Sequence, residues 1–138
     1  MTFLDTNICL DFLVKRSPWH ETADKIIRFH INNHFEMGVS VISIPTLAYL
    51  IDRHHKEYES SEILKEFSEF IHFLEVDSSQ TKKAIFSDWN DLEDAMQFQC
   101  AFSNKVQTII TRNTKDFQLS TIPVFHPKEW AKTFIDNA

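Results

Sequence analysis

The sequence predicts an α/β domain built on a mostly parallel sheet of four to five strands, with helices on both faces. Short runs rich in Ile, Val, Thr and Phe alternate along the chain with longer segments whose apolar residues recur at helical spacing. Strands that alternate with helices pair in parallel, because each crossover returns the chain to the same end of the sheet. The length of 138 residues suits a single domain spanning 1–138, and 43% hydrophobic content with only one glycine suits a well-filled core.

The elements follow in order. Thr2-Phe3-Leu4 forms a short first strand, and residues 19–34 carry Ala23, Ile26, Ile27 and Ile31 at helical spacing. Residues 39–42 form a second strand. Pro45 suits the first turn of a helix carrying Leu47, Leu50 and Ile51, and Ser60 suits the cap of a further helix through Ile63, Leu64, Phe67, Phe70 and Ile71. Residues 73–76 form a third strand, and Asp91 starts a helix running to about Ser103. Residues 108–111 and 124–125 supply the last two strands, and Pro127 opens a final helix through Trp130, Ala131 and Phe134.

Composition excludes several classes of function. The N-terminus lacks a basic segment leading into an apolar stretch, and no apolar run approaches the roughly 20 residues that span a bilayer, so a cytoplasmic protein without membrane association is expected. Cys9 and Cys100 are far apart and lack the paired spacing of zinc sites, so both are expected as buried small hydrophobes. The seven histidines show no ligand-like spacing either. A net charge of −6 rules out a global basic field, so any nucleic-acid contact must be local.

In parallel α/β sheets ligands bind at the carboxyl ends of the strands, beside a switch in strand order. The residues there are Asp5 after the first strand, Asp91 and Asp94 where the long helix begins, and Asn113 and Asp116 after the fourth strand. Asp91 and Asp94 share a helix face. Asp91 also suits an N-cap, and Thr6 and Asn7 suit the cap of the helix after Asp5. Two carboxylates about 4 Å apart repel by about 4 kcal/mol at an effective dielectric of 20. A proton or a cation relieves that repulsion, and oxygen donors of this kind select Mg²⁺ or Mn²⁺.

The motifs Phe3-Leu4-Asp5-Thr6-Asn7, Asp91-Leu92-Glu93-Asp94-Ala95-Met96-Gln97 and Thr111-Arg112-Asn113-Thr114-Lys115-Asp116-Phe117 together resemble the PIN-domain family, and in their order and spacing they cover most of the chain. The tail from Ile122 to Trp130 looks like that of bacterial members. The resemblance implies a three-layer α/β/α sandwich and metal-dependent cleavage of RNA. Among bacterial members of this size, similar to the VapC type, it also implies a toxin with a small antitoxin partner and a homodimer. By position, Asp5 and Asp94 match the family's metal-binding aspartates, while Asn113 and Asp116 fall in its last acidic motif. Asp5, Asp94 and Asp116 are thus the candidate catalytic residues, with Asn113 and Asp91 as further metal candidates and Arg112 and Lys115 facing substrate phosphates.

One stretch departs from the family. A Glu is usual on the helix after the second strand, in a pattern like Thr-Leu-Ala-Glu-Leu, where this chain reads Thr46-Leu47-Ala48-Tyr49-Leu50. A tyrosine, with a reference pKa of about 10, does not replace a carboxylate ligand near neutral pH. Asp52 lies one turn later, where it either substitutes for that Glu or, the favoured reading, takes a surface position beside Arg53. The alternative to an enzyme is therefore a PIN-like domain that has lost its activity and binds a partner protein. A phosphoacceptor domain would need an adjacent acidic pair early in the chain and a Lys after the last strand, and neither is evident.

Overall fold

The computed structural model describes residues 1–136, and Asn137 and Ala138, within the expected domain span, lie outside the described residues. The elements run β1 (Thr2–Leu4), α1 (Thr6–Leu13), α2 (His20–Asn32), β2 (Met37–Ser40), α3 (Ser43–His54), α4 (Ser60–Ser68), β3 (His72–Leu74), α5 (Ser78–Ile85), α6 (Leu92–Ser103), β4 (Thr108–Ile110), β5 (Val124–Phe125) and α7 (Pro127–Ala131). A 3-10 turn at Thr114–Phe117 follows β4, and a π-helical turn at Lys132–Asp136 follows α7. The sheet has five strands in the order β3-β2-β1-β4-β5, and every pairing is parallel.

Alternation along β1 and β4 divides the interior into two layers. Leu4 and Ile110 point into one apolar cluster with Ile8, Ile26, Leu47 and Phe67 from α1 to α4. Phe3 and Ile109 point into the other, with Phe98, Cys100 and Phe117 from α6 and the turn after β4. Successive strand residues face opposite sides, so three-residue strands suffice to anchor both layers. Both cysteines are buried and unpaired, as expected. Among the described residues no helix is long and apolar enough to cross a membrane.

Several boundaries differ from the expectations. The second strand lies two residues earlier than 39–42, because Thr2 and Phe3 pair with Met37 and Gly38, and Ser43 already opens α3. The third strand stops at Leu74, its last partner being Ser40. Ser60 is the first residue of α4 and not its cap, which is Glu59 without a side-chain cap bond. Asp5, not Thr6 or Asn7, caps α1. α5 was not anticipated, because its sequence SSQTKKAI is mostly polar, yet Asp77 caps it through a 2.8 Å bond from the Gln80 amide.

Gly38 is the chain's sole glycine and lies on β2, between β1 and β3. A Cβ there would stand 2.5 Å from Leu74 Cδ1, 2.8 Å from Met1 Sδ and 2.9 Å from Leu74 Cγ. Gly38→Ala is expected to destabilise the fold by about 1–2 kcal/mol, since a buried Leu must move aside. A thermal melt should show Tm lower by about 3–6 °C. An unchanged Tm would mean that Leu74 relaxes at no cost.

Candidate functional site

The strand order places the site. From β1 the chain builds outward through β2 and β3, then crosses back to lay β4 on the other side of β1. The carboxyl ends of β1 and β4 are therefore the switch point where a crevice opens. Parallel register pairs Leu4 with Ile110, so Asp5 and Thr111 emerge side by side.

Asp5 is held from three directions. The Thr111 hydroxyl donates to its Oδ2 at 2.7 Å, the Thr6 amide donates to its Oδ1 at 2.8 Å, and Asn7 Nδ2 donates to its Oδ2 at 3.2 Å. Asn7 also accepts from the Arg112 amide at 3.2 Å, tying α1 to the turn after β4. Burial pushes the Asp5 carboxyl above its ordinary range, against the pull of these hydrogen bonds and of the Arg112 charge.

Asp94 stands in the first turn of α6, and its amide donates to the Asp91 carboxylate at 2.9 Å. Asp91 is thus the N-cap of α6. One turn further along, Gln97 is fully buried and donates to Ser43 Oγ at 2.9 Å and Thr6 Oγ1 at 3.3 Å. This amide joins α6 to α1 and α3 beneath the site, and its Oε1 has no partner among the described residues.

Asp5, Asp91, Glu93, Asp94, Asn113 and Asp116 all border one hollow of about 360 Å³. Every acidic or amide candidate named from the sequence is therefore gathered there, and Glu93 joins them. Burial pushes the Asp94 carboxyl up to about 7, helped by the charges of Asp91, Asp5, Asp116 and Glu93 in that order. Glu93 is raised by burial, then by Asp5 and Asp91. Larger hollows exist, one of about 610 Å³ at the amino ends of β1 and β4 and one of about 690 Å³ beside Tyr49 and Asp52. Neither gathers these carboxylates.

Arg112, expected to face phosphates, is engaged by Asp11: its Nε donates to Asp11 Oδ2 at 2.8 Å and a terminal nitrogen donates to Oδ1 at 3.3 Å. Its guanidinium also lies 3.8 Å from the Trp19 ring centroid. Arg16 donates to the same Asp11 at 2.9 Å. Asp11 is fully buried, and two guanidinium groups offset the cost of desolvating its charge. Sequence reasoning missed Asp11, although it falls one turn after Asn7 on the same face of α1. Lys115 is exposed and forms no ion pair among the described residues.

The place given to Tyr49 is corrected. It is 59% exposed and borders the separate hollow with Asp52, Arg53, His54 and Lys56. The α3 residue at the acidic hollow is Leu50, with Thr46 one turn earlier on the same face. Tyr49 therefore does not occupy the place of a missing ligand, and neither Leu50 nor Thr46 carries a carboxylate.

The donors are hard oxygens, and burial followed by their mutual repulsion lifts Asp94, which fits a small divalent cation. Among the described residues no three His, Cys, Asp or Glu side chains are already drawn into an ion-holding group. Mg²⁺ does not require one, since it is held through one or two carboxylates and keeps several waters.

A family model described as a PIN domain matches residues 2–115. Ribonuclease VapC1 of Aquifex aeolicus (strain VF5) is 26% identical over 135 residues, covering 94% of this chain and 92% of that protein. A toxin-antitoxin complex from Klebsiella pneumoniae superposes with a TM-score of 0.68 at 20% identity, over 92% of this chain and 98% of that one. Mycobacterium tuberculosis VapC20, described as a sarcin-ricin loop cleaving toxin, gives a TM-score of 0.64 at 16% identity, over 79% and 87%.

Two outcomes are expected. Folding raises the Asp94 pKa from 3.8 to about 7, so the folded state binds that proton more tightly. Its contribution is then fully present below about pH 4 and is lost as pH rises through about 7; with solvent screening at a half-buried group the change is about 1 kcal/mol. Denaturant melts in chelator should show this decline in the natural protein and a flatter profile in Asp94→Asn. Separately, Asp11→Ala strands the Arg112 and Arg16 guanidinium groups and should lower the unfolding free energy by about 3 kcal/mol. A loss below about 1 kcal/mol would show that the two arginines find other partners.

Proposed function

The chain belongs to the PIN-domain family, and on that premise we propose that it is a metal-dependent endoribonuclease, the toxin of a toxin-antitoxin pair acting in the cytoplasm. The observation that carries this reading is the acidic hollow at the switch point, with Asp94 lifted to about 7 by burial and by its neighbouring carboxylates. A site tuned only for stability would not collect five carboxylates around a hollow whose bordering cation among the described residues, Arg16, is already paired with Asp11. Asp5, Asp94 and Asp116, with Asn113 offering an amide oxygen, would hold Mg²⁺ or Mn²⁺. Such an ion polarises a phosphodiester and lowers the pKa of a bound water.

The chain's own residues supply position and charge. Thr111 and Asn7 fix the direction of Asp5, so its carboxylate stays aimed while its neighbours change protonation. Burial and the neighbouring carboxylates favour a proton on Asp94 near neutral pH when no cation is present. Asp91 accepts the Asp94 amide, which gives it a capping role beside any share in the ion. RNA as substrate agrees with the likeness to Ribonuclease VapC1, and a small protein antitoxin agrees with the likeness to the toxin-antitoxin complex.

A second reading has one specific observation behind it. α3 brings Leu50 and no carboxylate to the hollow, so a PIN-like domain without activity that binds a partner protein is the alternative. Incubating structured and single-stranded RNA with Mg²⁺ or Mn²⁺ separates the two. The natural protein should cleave, and Asp94→Asn should lose about 100-fold or more of that rate, in line with removing a group that acts on the reacting phosphate. Equal inactivity of both proteins would support the binding module.

A further inference from the structure

A second hollow, also of about 360 Å³, adjoins the acidic one and shares Asp91, Asp94 and Asp116 with it. Beyond those carboxylates its lining is mixed: Asp88 adds one more acid, while Trp89, Asn90, Lys115, Gln118 and Leu119 bring an indole, two amides, an ammonium and an alkyl group. Trp89 is braced from behind. Its ring stacks on Phe98 at 5.1 Å and 24°, and meets Phe117 edge-on at 5.4 Å. Leu119 is 54% exposed.

We propose that this second hollow is a nucleotide subsite beside the bond to be cut, taking a base and phosphate of single-stranded RNA. Trp89 and Leu119 carry the base, Asn90 and Gln118 meet its hydrogen-bonding edge, and Lys115 meets its phosphate. The inference rests on the nuclease reading and adds the residues that seat the substrate.

The chemistry of the lining selects this ligand. A rigid indole offers stacking to any base, and amides supply both donor and acceptor for a base edge. Only an unpaired strand presents a base in this way, since bases in a duplex are stacked on one another. Charge points in the same direction. The molecule carries a net charge of −6, and Arg112 and Arg16 are committed to Asp11, so long-range attraction for RNA is weak. Binding must come from local contacts, and Lys115 is a cation bordering this hollow that forms no ion pair among the described residues.

The test reads binding, in Ca²⁺ at low salt, with a fluorescein-labelled single-stranded oligoribonucleotide of mixed sequence. RNA should quench part of the tryptophan emission of the natural protein, and Trp89→Phe, which keeps an aromatic ring against Phe98, should lose that part. Lys115→Ala should weaken binding about 3- to 10-fold and reduce the salt slope by about one. Gln118→Ala and Asn90→Ala, both at exposed positions, should flatten the preference among poly-A, poly-C, poly-G and poly-U. Quenching that survives in Trp89→Phe, or an unchanged salt slope in Lys115→Ala, overturns the subsite. The two readings fail separately: RNA that is cut by the natural protein but bound equally by these variants removes the subsite and leaves the nuclease. RNA that is bound through Trp89 and never cut leaves the subsite as an RNA-binding hollow and removes the nuclease.

Discussion

The parallel pairing of β1 with β4 is the constraint on which the site depends. Thr2, Phe3 and Leu4 lie opposite Thr108, Ile109 and Ile110, and the Asp5 amide continues the ladder by donating to the Ile110 carbonyl at 3.0 Å. This register sets Asp5 beside Thr111 at 2.7 Å, two residues that are 106 positions apart in the chain. A slip of one residue would turn Leu4 and Ile110 out of their apolar cluster and separate the hydroxyl from the carboxylate at the same time. Core packing and site geometry are thereby locked to one choice.

Two acidic centres sit close together on α1 and have opposite physical solutions. Asp11 is buried with two arginines, so its charge is satisfied inside the protein. Asp5, two turns earlier, receives hydrogen bonds but looks into a hollow populated by other carboxylates. The first arrangement spends the nearby arginines on structure, with Trp19 packed against both. The second leaves five carboxylates around a hollow whose bordering Arg16 is already paired with Asp11, and burial together with those charges pushes Asp94 up to about 7. The fold is thus less stable with its hollow ionised, and a cation that binds only the folded state stabilises it by mass action.

The layout of the fold was legible wherever hydrophobic period and local chemistry agreed. β1, β4, β5, α2, α6 and the start of α7 fell where apolar spacing, Asp91 and Pro127 put them. The gathering of Asp5, Asp91, Asp94, Asn113 and Asp116 was legible too, because the ends of parallel strands and the start of the helix that leads back into one of them lie at one edge. What the sequence hid were relationships set by tertiary pairing. α5 buries little beyond Gln80 and Ala84, so no apolar stripe announces it. Arg112 reads as a surface cation until α1 brings Asp11 against it. Tyr49 reads as a replaced ligand only if the helix phase is misjudged: Leu50 borders the hollow, while Tyr49 borders another. Glu93 lay inside a quoted motif, yet its part in the hollow depends on how the first turn of α6 stands against β1.

The central claim is that these carboxylates share one positive charge, a proton in its absence and a divalent cation in its presence. Calorimetric titration of Mn²⁺ into chelator-treated protein at pH 7, repeated in two buffers of different ionisation enthalpy, counts the protons released per ion bound. With Asp94 at about 7, binding should release about half a proton, and Asp94→Asn should release almost none. Binding without proton release, or no binding heat at millimolar Mn²⁺, would contradict the account.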